Sequence, residues 1–402
     1  MRKFTSTFRA MKIKNRTLVL VCIVMAQFFC TSLWFAGNAV SNELVLLFQG
    51  TSGLVGHLTA AVQLGFITGT LLYAIYTIPD RFSPSKVFMI SAFLGALSTL
   101  TMLVEGQTFT GVLLSRFFTG FFLAGIYPVG MKIAADYFDK GLGKALGFLV
   151  GALVLGTAFP HFIRAFSLNL SWKVVIQTAS LLCVLGGLNI GVLIPDGPFR
   201  KRGGKLKFAG FKAIFANPNF KASAFGYFGH MWELYAFWAF VPVIIEMYRS
   251  QQPLYQLSTP LLSFIFIGIG GISCFLAGWI SGHFTAKKTA FTALLLSGIC
   301  CLLSPALFSL SPLFFLLFLL VWGCTVIADS PMFSTMVAQN APVAYKGAAL
   351  TIVNCIGFSV TIISIEILTY LHTAFPEANY IFLILLPGPV FGLWALTKKS
   401  KA

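Results

Sequence analysis

Four ionisable side chains interrupt runs of this sequence that are otherwise apolar: Arg116, Glu233, Asp329 and Glu366. The richest run is GHMWELYAFWAFVP, residues 229–242, where His230 and Glu233 stand among Trp232, Tyr235 and Trp238. At i, i+3 spacing, His230 and Glu233 share one face of a helix, with Tyr227 and Phe237 beside them. A carboxylate next to an imidazole and away from water has a proton affinity set by desolvation against pairing. That is the chemistry a proton-binding site needs. A structural pair bonded to a neighbouring helix, with the rings as packing, fits the same pattern. Asp329 precedes Ser330-Pro331, where a helix break frees backbone carbonyls, so it suits a bend as well as a binding site. Arg116 suits an anionic group, a carboxylate whose proton affinity it adjusts, or an internal ion pair. Trp34, Asn38, Gln63, Tyr127 and Trp238 complete the set of binding candidates. His161, after Pro160 and near Arg164, reads as structural and close to an outer surface.

Other chemistries find no support. The eight cysteines (22, 30, 183, 274, 300, 301, 324, 355) form no CxxC pair and have no His at metal-ligand spacing. They read as small apolar fillers. HExxH, closely spaced acid pairs and a phosphate-binding P-loop are absent from the sequence. The expectation is no metal, no cofactor and no enzyme activity.

The elements that must position these residues follow from composition. Of 402 residues, 57% are hydrophobic and only 10% charged, against about 25% charged in a soluble domain. Apolar stretches long enough to cross the hydrocarbon core recur at 17–39, 54–78, 87–104, 110–135, 145–167, 173–194, 221–247, 259–281, 289–308, 313–336, 348–372 and 379–397. Twelve transmembrane helices are predicted. The leader MRKFTSTFRAMKIKNR precedes an apolar run too long for a signal peptide, and a retained first helix is expected. The net charge of +17 is a topology signal: all Lys and Arg except Arg116, Arg164, Lys173 and Arg249 fall on one side. The positive-inside rule then puts both termini in the cytoplasm of a cell-membrane protein. No nucleic-acid reading module accompanies the charge. Rise per residue sets Glu233 about 18 Å into its span, close to midplane, and Glu366 near the outer end of helix eleven.

A long polar connection, residues 195–219, splits the chain into an N-terminal six-helix bundle (1–194), a basic linker and a C-terminal six-helix bundle (220–402). DRFSPSK (80–86) matches GHFTAKK (282–288) at an offset of 202. Gly120 and Pro128 match Gly323 and Pro331 at 203, and Trp34 matches Trp238 at 204. Matches between equivalent helices at nearly one offset indicate two parallel repeats.

Helix four, LLSRFFTGFFLAGIYPVGMKIAADYF, resembles the fourth-helix motif of the major facilitator superfamily through Arg116, Gly120, Ala124 and Gly125. GKALGFLVGALVLGTAFPH resembles its glycine-rich fifth helix, through Gly147, Gly151, Gly156 and Pro160. PDRFSPSK is similar to a degenerate form of the family's helix 2–3 loop signature, keeping Asp80, Arg81 and Lys86. In the second copy Gly282 and His283 stand where Asp-Arg would be. Small residues every four positions let helices four and five approach backbone to backbone. The resemblance implies an all-α fold of twelve helices in two six-helix pseudo-repeats, with helices one, four, seven and ten around a central cavity. It also implies a gate in which the 2–3 loop charges pair with neighbouring helix ends, Asp136 being the natural partner of Arg81. The implied function is secondary active transport of a small solute by alternating access, in a lipid bilayer, by a monomer. Protons are favoured over sodium as the coupling ion, because carboxylates and His are present and no carbonyl-rich unwound site is visible. Helices two and eight lack the Arg expected of a nitrate site. A transport-like sensor without turnover and an efflux antiporter remain the alternatives.

Overall fold

The computed structural model describes residues 15–49, 53–138, 142–167, 169–200, 215–252, 258–341 and 346–398. Leader residues 1–14 and linker residues 201–214 lie outside the described residues. Eleven helices are long and apolar enough to cross a membrane, and a shorter apolar helix precedes them. In chain order, helix one is Arg16–Thr31, extended through a turn to Asn38–Val40. Helices two to six are Leu54–Ile75, Pro84–Leu103, Phe109–Tyr137, Leu142–Phe166 and Lys173–Leu193. Helices seven to twelve are Pro218–Gln251, Thr259–His283, Ala286–Ser309, Pro312–Asn340, Ala348–Ala374 and Asn379–Thr397. All twelve predicted spans are present. Helix seven is longer than expected, running 34 residues straight through Pro242.

Local chemistry sets the ends and the breaks. Asn15, Thr108, Asn217, Ser258 and Thr285 accept hydrogen bonds from the first free N–H groups of helices one, four, seven, eight and nine. Pro128 and Pro331 divide helices four and ten into two pieces each, Phe109–Leu123 with Tyr127–Tyr137 and Pro312–Ala328 with Ser330–Asn340. Each proline sits in the first turn of the second piece, where its missing N–H leaves no bond unmade.

Packing repeats between the halves. Helices two and four, one and five, one and six, three and four, and three and six pack together. Their counterparts six places on, eight with ten, seven with eleven, seven with twelve, nine with ten, and nine with twelve, do the same. The halves meet along two seams that this symmetry exchanges, five with eight and two with eleven. The glycines of helix four serve helix two, because a side chain on Gly120 would collide with the Val62 carbonyl and one on Gly65 with that of Phe117. Those of helix five serve helix one at Gly156, against the Phe28 carbonyl, and helix eight at Gly151, against Gly271. The close approach read from the sequence is therefore real, but it is made to helices two, one and eight.

The seams are closed on one side only. Phe162 packs on Phe264 and Phe66 on Phe358, with ring centroids 5.0 and 4.7 Å apart. Toward the side that carries Arg16 and Thr397, Gly143 and Gly147 of helix five and Gly278 and Gly282 of helix eight face open space. The five–eight seam is thus in contact from the far side down to Phe148 and Phe275, whose rings stack at 6.0 Å, and parts over the last turns on the terminal side. Gly120→Ala should lower stability by about 1–3 kcal/mol through overpacking. Thermal unfolding of the detergent-purified protein checks this, with Gly278→Ala, which meets nothing, as the neutral comparison.

Candidate functional site

Helix one stops at Thr31, and the turn that follows carries Trp34 and Phe35 across to the other half. Trp34 packs on Phe66 (4.9 Å) of helix two, Tyr235 (5.7 Å) of helix seven and Phe358 (5.8 Å) of helix eleven. Tyr235 packs on Trp238 at 5.3 Å, and Trp238 meets Phe35 edge-on. This cluster joins the halves at mid-helix. Polar atoms sit inside it without hydrogen-bond partners: the indole N–H groups of Trp34 and Trp238, the whole amide of Gln63, and the carbonyl oxygen of Asn38. The Asn38 amide nitrogen donates to Thr59 at 2.7 Å. Gln63 lies one turn beyond Thr59, on the face of helix two that leads to Phe66. On the terminal side of the cluster, the phenols of Tyr127, Tyr227 and Tyr235 come within electrostatic reach of one another. Trp34 and Trp238 are thus brought together across the two halves and Tyr127 approaches their tyrosine neighbours, while Asn38 also lines a far-side cavity and Gln63 sits along helix two between Thr59 and Phe66.

Arg116 is in a different position. It is fully buried, and its guanidinium donates to the Leu33 carbonyl at 3.0 Å and to the Trp34 carbonyl. These are carbonyls of the turn after helix one, which has no water to satisfy it. Gly37 makes room, because a side chain there would press on the Arg116 Nε at 3.2 Å. The sequence shows no sign of this unwound stretch. Its free carbonyls hold an arginine rather than an ion.

The expected pairing of His230 with Glu233 is replaced. His230 Nδ1 lies 2.7 Å from Asp329 Oδ1, both side chains being about 1% exposed. The alignment falls short of a hydrogen bond, so the contact is chiefly electrostatic, and His230 Nε2 has no partner. The ring lies between Tyr227 and Phe333. Glu233 turns away from the other half. Its Oε1 accepts from Ser297 (2.5 Å) and Cys301 (3.2 Å) of helix nine and from Trp322 (2.7 Å) of helix ten. Two residues at i, i+3 are about 60° apart around a helix, and here that angle separates two different neighbours. Glu366 reaches across to His57 of the other half at 3.2 Å, on the far side. Its expected structural role is thus a contact between halves.

The 2–3 loop also differs in its partners. Lys132 lies 2.8 Å from Asp80 and 3.7 Å from Asp136, so it, and not Arg81, joins the loop to helix four. Arg200 ties in the start of the linker, donating to the Phe82 carbonyl at 2.7 Å and pairing with Asp196 at 2.5 Å. Arg81 and Lys86 are exposed. Lys132 was missed, although its spacing of four from Asp136 was visible. Tyr227 and Tyr235 were noted on the helix but not as members of the site. His161 is buried with Nε2 unpartnered. It helps line a cavity of about 350 Å³ on the far side with Glu43, Arg164, Glu246 and Arg249.

Two six-helix halves with repeated packing, closed on one side of a shared polar and aromatic centre and open on the other, define a polytopic membrane carrier. The chain belongs to the Major Facilitator Superfamily, whose family model matches residues 17–365. It is a secondary transporter of that family. Among curated proteins no sequence match was found. Solved structures similar to it include a mutant of the nucleoside transporter NupG, with 16% identity, TM-score 0.70 and coverage of 94% of this chain and 98% of that one. The proton:xylose symporter XylE matches with 14% identity and TM-score 0.73, over 95% and 94% of the two chains. A bacterial homologue of the human lysosomal transporter Spinster, in an inward-facing and occupied conformation, matches with 14% identity and TM-score 0.67 over 96% of each.

Arg116→Met should destabilise the protein by about 3–5 kcal/mol with or without solute, because it leaves the turn's carbonyls unpaired. Thermal unfolding measures this. Unchanged unfolding with only solute binding lost would make Arg116 a binding residue instead.

Proposed function

We propose that the chain is a proton-coupled carrier of a small, uncharged, polar solute, bound between Trp34, Asn38, Gln63, Tyr127, Tyr227, Tyr235 and Trp238. One observation carries this reading. Arg116 and Glu233 are hydrogen-bonded inside one half or the other and His230 faces Asp329, whereas the rings that join the halves carry the neutral, unpartnered indole N–H groups of Trp34 and Trp238, with the unpartnered Gln63 amide on the adjoining helix two. Buried polar groups need partners, and a solute with hydroxyl, carbonyl or amide groups supplies them while its faces pack on the rings. NupG is a nucleoside transporter and XylE a proton:xylose symporter, so both take uncharged polar solutes and XylE couples to the proton.

The proton site on this reading is His230–Asp329. It lies one helical turn from Tyr227, so protonation there and solute contact on the phenols bias the same element. Arg116 and Glu233 are structural: the first holds the turn of helix one, the second ties helices seven, nine and ten together. Lys132, Asp80, Asp136 and Arg200 form the gate network of the N-terminal half. Positive-inside charge supports a cytoplasmic terminal side in the cell membrane, so the arrangement described is inward-facing. The division 1–194, 195–219 and 220–402 then corresponds to two rocking bodies and their tether. Since one chain supplies both halves of the site, it works as a monomer, by binding and release without chemical conversion.

Proteoliposome flux tests both parts. Wild type should accumulate an uncharged polar solute, a nucleoside or pentose in a first panel, only under a proton gradient. Asp329→Asn should lose gradient-driven accumulation by about 5–150-fold, the range of a typical coupling free energy, while keeping solute exchange. Gln63→Ala should raise KM by roughly 2–10-fold, the value of one neutral hydrogen bond. Transport of ions alone would overturn the solute class, and full accumulation by Asp329→Asn would overturn the proton site.

A further inference from the structure

The two terminal-side loops are related by the repeat, yet their charges are not balanced alike. In the first copy, Asp80, Lys132 and Asp136 form a chain of ion pairs. At the repeat offsets of 202 and 203 the corresponding residues are Gly282, Thr335 and Gln339, whereas Lys86 corresponds to Lys288 and is preceded by Lys287. The second copy has lost both acids and the lysine between them, and of the loop's cations it keeps Lys288, beside Lys287. Lys287 and Lys288 are exposed, and neither carries an interaction beyond the local helix cap at Thr285.

Below these lysines lies a groove of about 1010 Å³ between helices eight, nine and ten. Leu276, Ile280, Leu296 and Ala328 line it, and Leu396 of helix twelve closes its end. Sites for small molecules are typically about 300–1,000 Å³, so this one is large. Helices nine and ten form two of its walls, whereas the seams between the halves are made by helices five with eight and two with eleven. An apolar trough with two unpaired ammonium groups at its membrane-edge mouth has the polarity of one kind of molecule.

We propose that this groove binds one anionic phospholipid, its acyl chains along helices eight to ten and its phosphate between Lys287 and Lys288. Charge complementarity selects the occupant. A zwitterionic lipid brings its own cation to the same mouth, and a soluble phosphate leaves the trough unfilled. The first copy carries Asp80 and Asp136 beside its loop cations, so its charge is mixed there. The inference does not depend on which solute is carried.

The test uses the full-length protein in nanodiscs of mixed phosphatidylglycerol and phosphatidylcholine, with retained lipid read by native mass spectrometry. Wild type should retain one phosphatidylglycerol in preference. The double variant Lys287→Gln/Lys288→Gln should reduce that preference by about 10–30-fold, as expected for two lysines near an anionic surface. Lys86→Gln/Lys144→Gln, an equal loss of exposed charge in the other half, should not change it. Thr292→Trp, an exposed position on the groove wall, should displace the lipid with melting temperature preserved. Equal retention of both lipids by wild type, an unchanged preference in the double variant, or displacement by soluble glycerophosphoglycerol would each overturn the proposal. So would a dimer by size exclusion that buries the groove.

Discussion

Where helix one ends at Thr31, the backbone turns in a place that has no water to solvate it. In a bilayer each free carbonyl costs several kcal/mol unless the protein supplies a donor. Arg116 supplies it from helix four, donating to two successive carbonyls. The pairing works in both directions, since a buried guanidinium is itself expensive without acceptors. With the turn held, Trp34 and Phe35 leave the path of helix one and enter the cluster that joins the two halves. The centre of the molecule depends on that exchange.

The same economy governs the other buried charges. Glu233 bonds to helices nine and ten, His230 faces Asp329, and Arg116 serves helix one, so each meets its partner within its own half. What crosses between halves at mid-helix is aromatic and neutral. Ring contacts are worth about 0.5–1.5 kcal/mol each beyond their area and part without stranding a charge in low dielectric. Two bodies that must separate and rejoin are well served by such a surface. The one ion pair across the seams that is described here, His57 with Glu366, stands partly exposed at the far edge, where water can screen it as it opens.

Much of the architecture was legible in the sequence because a bilayer leaves few choices. Span length, the six-plus-six division and the depth of Glu233 follow from rise per residue and hydrocarbon thickness. The offsets near 203 announced a packing pattern that repeats six helices later. The same reading failed on partners. His230 and Glu233 were joined because helix periodicity brings i and i+3 together, yet two neighbouring helices divide that face between them. Arg81 was matched to Asp136 because the family's loop motif pairs its charges with neighbouring helix ends, whereas Lys132, four residues before Asp136 on the same helix, meets both Asp80 and Asp136. The turn of helix one was invisible, because TSLWFAGN, a run of small and aromatic residues, is compatible with a straight helix.

The sequence by itself determined the medium, the number of crossings, the repeat and the inventory of groups able to hold a proton or a polar solute. Those depend on composition and on distances along one chain. Tertiary structure alone decided which of those groups are occupied and which are free, because that depends on the helix each side chain meets. Glu233 and Arg116 carried the strongest chemical signals and turned out to be bonded inside the protein. Gln63, Trp34 and Trp238, ordinary in sequence, are the ones left with unpaired atoms between the halves.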